Sequence, residues 1–205
     1  STARYSHTAT LLSDGRVLAV GGYTSTGYLD SAEIFDPAKN AWVAAASLPA
    51  PRGYHTATLL TSGKVLVAGG TNDATGDQLD ALLYDPASDT WSAAGTIAAH
   101  DQHTATLLPS GKVLIAAGFD RTIYDAIASV AIYDPQTNSW SDAAPMSNAR
   151  AIHSALLLPD GTVLVSGGRK HDGAGYTYFN TAERYDPVAN TWSPAGTFDT
   201  ECGYH

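Results

Sequence analysis

Residues 53–70 read GYHTATLLTSGKVLVAGG, and close variants of this phrase occur four times along the 205-residue chain. Its histidines are His7, His55, His103 and His153, and a tryptophan follows each phrase at Trp42, Trp91, Trp140 and Trp192. The spacing is regular: His7 to His55 is 48 residues and Trp140 to Trp192 is 52. A period of that length marks an array of supersecondary units, each too small to bury its apolar faces alone.

Each unit reads as four strands. In the second, His55 to Leu60 is short and rich in β-branched and apolar residues. Thr61-Ser62-Gly63 makes a turn, and Val65 to Ala68 is a second apolar run ending at Gly69-Gly70. Two such runs around a glycine-bearing turn form a hairpin. A loop leads to Ala81-Leu82-Leu83-Tyr84, then Asp85-Pro86, then Trp91. Proline presets φ for that turn and aspartate can bond the backbone beyond it. Four antiparallel strands per unit without helical periodicity describe an all-β propeller of four blades. The blades run approximately 4–50, 52–99, 100–148 and 150–200, as a single array over 1–205. Phe35, Tyr84, Tyr133, Tyr185 and the four tryptophans are expected in the core, where truncating a buried tryptophan costs roughly 3–5 kcal/mol.

The hairpin, double glycine, (Tyr/Phe)-Asp-Pro and spaced tryptophan resemble kelch repeats over nearly the whole chain. GYHTATLLTSGKVLVAGG and IHSALLLPDGTVLVSGG look most like bacterial kelch propellers related to the galactose oxidase group. One repeat departs, with Ala117-Gly118 where the others have Gly-Gly. The resemblance implies a ring of six or seven blades, so four read as a fragment of a longer propeller, as a ring completed by self-association, or as an unusually small closed ring. A fragment that pairs with a second copy through its open apolar faces, giving a dimer, is the expectation.

Composition narrows the partners. The net charge of −9 disfavours nucleic acid and anionic membrane surfaces. No apolar run approaches the ~20 residues that span a bilayer. Cys202 is the single cysteine, so no intrachain disulfide exists and the compartment stays open. The family resemblance leans towards a secreted or cell-surface setting.

Four sites are candidates. Arg4, Arg52, His100 and Arg150 each stand three residues before a repeat histidine. Converging on one channel mouth, they would bind an acidic peptide or a carboxylate. The competing reading pairs each arginine with an acid of a neighbouring blade, Glu33 or Glu183. His7, His55, His103 and His153 could hold a metal, or could bond adjacent blades. Tyr54-His55 and Tyr204-His205 resemble the Tyr-His pair of galactose oxidase, with Cys202 as a conceivable crosslink to Tyr5 or Tyr54. The third and fourth repeats lack that tyrosine. Oxygen ligands in 70–80 could suit calcium, and aromatics in 170–180 could stack on a sugar, although turns need such polar residues anyway. The sequence therefore reads as a non-catalytic recognition scaffold without a cofactor. It would bind a protein or carbohydrate ligand at the channel-mouth loops and self-associate through open faces. The alternative is part of a copper-radical oxidase of the galactose oxidase kind.

Overall fold

The computed structural model describes residues 2–72, 74, 76–98, 100–171 and 175–199. Among these there is no helix, and four four-stranded antiparallel sheets make the blades of a kelch-type β-propeller. The chain divides into two compact units, Ser1–Ala98 and Ala99–His205, each holding two blades.

In the first unit, blade 1 comprises Thr8–Leu11, Val17–Val20, Ala32–Asp36 and Ala41–Ala45. Blade 2 comprises Thr56–Leu59, Val65–Ala68, Asp80–Asp85 and Thr90–Thr96. In the second unit, blade 3 comprises Thr104–Leu107, Val113–Asp120, Asp125–Asp134 and Ser139–Ala143. Blade 4 comprises Ser154–Leu157, Val163–Ser166, Thr181–Asp186 and Thr191–Thr197. In every blade the strands pair in chain order, first to fourth.

The apolar second strand is the keel. Val65, Leu66, Val67 and Ala68 are all buried, as are Val113, Leu114, Ile115 and Ala116. Between blades 1 and 2, Leu18, Val20 and Ile34 pack with Val65, Val67, Leu82 and Tyr84. Between blades 3 and 4, Leu114, Ala116 and Val130 pack with Val163, Val165 and Tyr185. Each buried branched side chain contributes about 1.5–3 kcal/mol. Four aspartates close the third-to-fourth turns, accepting the amide two residues on at Ala38, Ala87, Gln136 and Val188.

The tryptophans behave differently from the expected core residues. Tyr84, Tyr133 and Tyr185 are fully buried, whereas Trp42 is 45% exposed and the other three indoles are half-buried. The fourth strand lies at the blade's rim, so its indole covers a junction and does not fill an interior. Trp91 Nε1 donates to Ala46 O of blade 1 at 2.7 Å, and Trp192 Nε1 donates to Ala144 O of blade 3 at 2.8 Å. Beside each indole sits a left-handed residue, Asp89 (φ 52°) or Asn190 (φ 53°). Asp89 Oδ1 accepts from Tyr84 Oη and from Ala46 N, and Asn190 Oδ1 accepts from Tyr185 Oη and from Ala144 N. Asn and Asp tolerate that backbone region better than other side-chain-bearing residues.

The double glycine has a steric cause. Gly21 has φ +60°, and a Cβ there would stand 2.4 Å from Arg52 O and 2.9 Å from His55 Cε1. Blade 2's entry loop thus runs directly against blade 1's backbone, and Gly22 N donates to Arg52 O at 2.8 Å. In blade 3 the pair is Ala117-Gly118, with Ala117 at φ 54°, and the sheet beyond it differs. Its second and third strands continue through a bulge into one long hairpin, where blades 1, 2 and 4 carry a separate short hairpin. Gly21→Ala is expected to lower the thermal midpoint sharply. Gly15→Ala, with no atom within 4 Å of the new Cβ, should cost only the left-handed strain of about 1–2 kcal/mol. Thermal unfolding by circular dichroism separates them.

Candidate functional site

The loop entering each first strand carries the predicted basic residues, and the structure seats them in one repeated cradle. Arg150 Nη1 donates to Gly167 O at 2.8 Å and to Thr181 O at 3.0 Å. Its Nη2 reaches Thr181 Oγ1 and, at 3.0 Å, Glu183 Oε1. Arg4 repeats the pattern on Gly21 O, Ser31 O, Ser31 Oγ and Glu33 Oε2. Arg52 does so on Gly69 O and Asp80 O, with both Asp80 carboxylate oxygens at 2.9 Å. Arg52 and Arg150 are 0% exposed. The open cationic lining expected from the sequence is therefore replaced by buried braces. Each paired acid belongs to the arginine's own blade, because the entry loop folds back over its own second-to-third junction.

His100 explains the fourth position. Its Nδ1 hydrogen-bonds Ala117 O at 2.7 Å, the carbonyl equivalent to those of Gly21, Gly69 and Gly167. Blade 3 has Ser129 and Ala131 where blade 1 has Ser31 and Glu33, so neither equivalent position offers a carboxylate. Burial pushes the His100 pKa down, and a neutral imidazole fills the seat without an uncompensated charge. The cation tracks the acid. Removing one member of a buried pair strands the other, at about 3–5 kcal/mol. Arg150→Met, opposite a Glu183 side chain only 5% exposed, should approach that loss. Arg52→Met should lose less, since the Asp80 side chain is 42% exposed. Urea denaturation of both variants checks the order.

The repeat histidines join blades. His55 Nε2 lies 2.9 Å from Thr8 Oγ1 of blade 1, and His153 Nε2 lies 2.9 Å from Thr104 Oγ1 of blade 3. Burial first, then the adjacent guanidinium, lowers each pKa to about 3. His103 is also buried, while His7 is exposed. Among the described residues no group of three or more His, Cys, Asp or Glu is arranged to hold a metal ion. Tyr54 is half-buried with φ 58°, and Cys202, Tyr204 and His205 lie outside the described residues. In the 70–80 loop, Asn72 is used internally, donating to Pro51 O and accepting from Ala74 N. Asp73 and Thr75 lie outside the described residues.

These histidines give stability a pH dependence. The folded pKa of about 3 lies below the unfolded 6.5, so below pH 6.5 the unfolded chain binds more protons. Their contribution is complete above 6.5 and is lost as pH falls towards 3. Between pH 8 and pH 5 each should remove about 2 kcal/mol. Chemical denaturation over that range tests it, and His55→Gln with His153→Gln should flatten the slope.

What these loops leave exposed is aromatic. In the second unit Phe119, Tyr124, His171 and Tyr176 form a row, with centroids 5.4, 5.7 and 5.4 Å apart and every contact edge-on. The Arg169 guanidinium covers Tyr176 at 4.0 Å. Tyr124 is 60% exposed and Tyr176 42%. His171 N donates to Asp125 Oδ1, fixing the blade 4 hairpin against blade 3. Arg169 bridges Ala151, beside the seated Arg150. In the first unit Tyr5, Tyr23 and Tyr28 make the corresponding cluster, at 5.2 and 4.7 Å. Sequence reading found the aromatics of 170–180 but missed Phe119 and Tyr124. Only the fold sets these beside blade 4.

The sequence profile of the Attractin/LZTR1 beta-propeller matches residues 2–201. The chain belongs to this family. It is also 33% identical to human Kelch-like protein 33 over 81 residues, which are 40% of this chain and 14% of that protein. The solved structure of YjhT superposes with a TM-score of 0.81 at 19% identity, covering 98% of this chain and 73% of that one. A copper complex of a fungal alcohol oxidase of the AA5 family gives 0.59 at 17% identity, covering 100% and 56%. At these identities the structural likeness establishes a shared fold alone. The kelch relatives and the propeller fold agree with an interaction scaffold as the general class.

Proposed function

We propose that this chain is a non-catalytic recognition scaffold. It grips a protein partner with the aromatic row on its second-to-third hairpins and self-associates through open blade faces. The observation that carries the reading is the row Phe119, Tyr124, His171 and Tyr176 with Arg169. Tyrosine and arginine are the residue types over-represented where binding energy concentrates. Here they are held by a buried frame, so little ordering cost falls on binding. The residues predicted to touch a ligand, Arg4, Arg52, His100 and Arg150, serve this face by fixing the loops beneath it.

The copper-oxidase alternative has the fold of the AA5 neighbour in its favour. Among the described residues no group of three or more His, Cys, Asp or Glu is arranged to hold a metal ion, and Cys202, Tyr204 and His205 lie outside them. The test is selection of peptide and glycan libraries on the wild-type protein, with the winners re-measured on Tyr124→Ala/Tyr176→Ala. Peptides should bind the wild type and lose tenfold or more in affinity on the double variant, with the thermal midpoint unchanged. Equal binding to both proteins would remove this face from the reading. Enrichment of glycans alone would change the ligand class to carbohydrate.

A further inference from the structure

We propose that the exposed face of blade 1 docks on the exposed face of blade 4 of a second copy, head to tail, by the contacts that join blades within each unit. This deepens the self-association proposed above by naming the two faces and their order.

Within each unit the junction has a fixed grammar. The face of blade 2 turned to blade 1 carries Ala57, Leu59 and Trp91, all packed on the shared core, and His55, bonded to Thr8. Blade 4 turns Ala155, Leu157, Trp192 and His153 to blade 3 in the same way. The equivalents on blade 1 are Ala9, Leu11, Trp42 and His7, and all four are exposed. Leu11 reaches 64% and Trp42 45%.

The complementary half stands on blade 4. Strand side chains alternate, so Thr10 points with Thr8 towards blade 2 and is 9% exposed. Its equivalent, Leu156, is 63% exposed. Ser154 occupies the place of Thr8 and Thr104, so it brings the hydroxyl that a repeat histidine bonds. The contact is heterologous, one face meeting a different face.

Light scattering on a sizing column tests this with two surface variants, Leu11→Asp and Leu156→Asp. Each blocks one face and, at such exposure, should leave the fold of the single chain intact by circular dichroism, the midpoint falling only by what assembly adds. The wild type is expected at twice the mass of one chain or more, and each variant alone at the mass of one chain. Mixed, the two variants should form a one-to-one dimer, since each retains the face that the other lacks. A monomeric wild type would overturn both this proposal and the self-association it deepens, leaving the aromatic row untouched. A wild-type assembly that survives both substitutions, or variants that fail to pair when mixed, would overturn the head-to-tail assignment alone.

Discussion

A blade of this protein has two apolar faces and cannot bury either by itself. Everything else follows from that constraint. Within each unit the apolar second strands and their neighbours pack one blade on the other, and the first and fourth strands supply the polar bonds that hold that junction in register. His55 to Thr8 and Trp91 to Ala46 fasten the two edges of one junction. Apolar packing between the blades supplies most of the energy, and the paired donors fix the register.

The entry loops solve a second problem. Each must turn closely over the end of the second strand, where the carbonyls of Gly21, Gly69 and Gly167 accept from the loop's arginine. A guanidinium suits that seat, since its planar fork offers several donors in fixed directions. Burying the cation is tolerable only beside an acid, and Glu33, Asp80 and Glu183 provide it. Where the acid is absent, histidine takes the seat in neutral form. The same logic keeps His55 and His153 uncharged, because each lies beside an arginine with its imidazole withdrawn from water.

A rigid frame under variable loops is what a recognition surface requires. The second-to-third hairpins differ among blades while the junctions beneath them repeat. Blade 3 carries one long hairpin where the others carry a separate short one, and that extension brings Tyr124 to His171 of blade 4. A local departure from the repeat thus builds the aromatic row.

The sequence by itself determined the four main strands of each blade, their order and the blade count, because period-2 alternation, glycine turns and Asp-Pro turns are local signals that recur in phase; the short hairpins after the double glycines of blades 1, 2 and 4 read only as polar loops. It also marked the equivalent residues correctly, down to His100 in the place of three arginines. Only the tertiary structure decided which way these residues face. Arg150 meets Glu183 across 33 residues of chain, and no spacing rule separates a buried brace from an exposed contact. Trp42 and Trp91 share one position in the repeat, yet one is 45% exposed and the other bonds the preceding blade. Sequence gives both the same role. What covers each face is set by the neighbouring blade, and burial is a property of that packing.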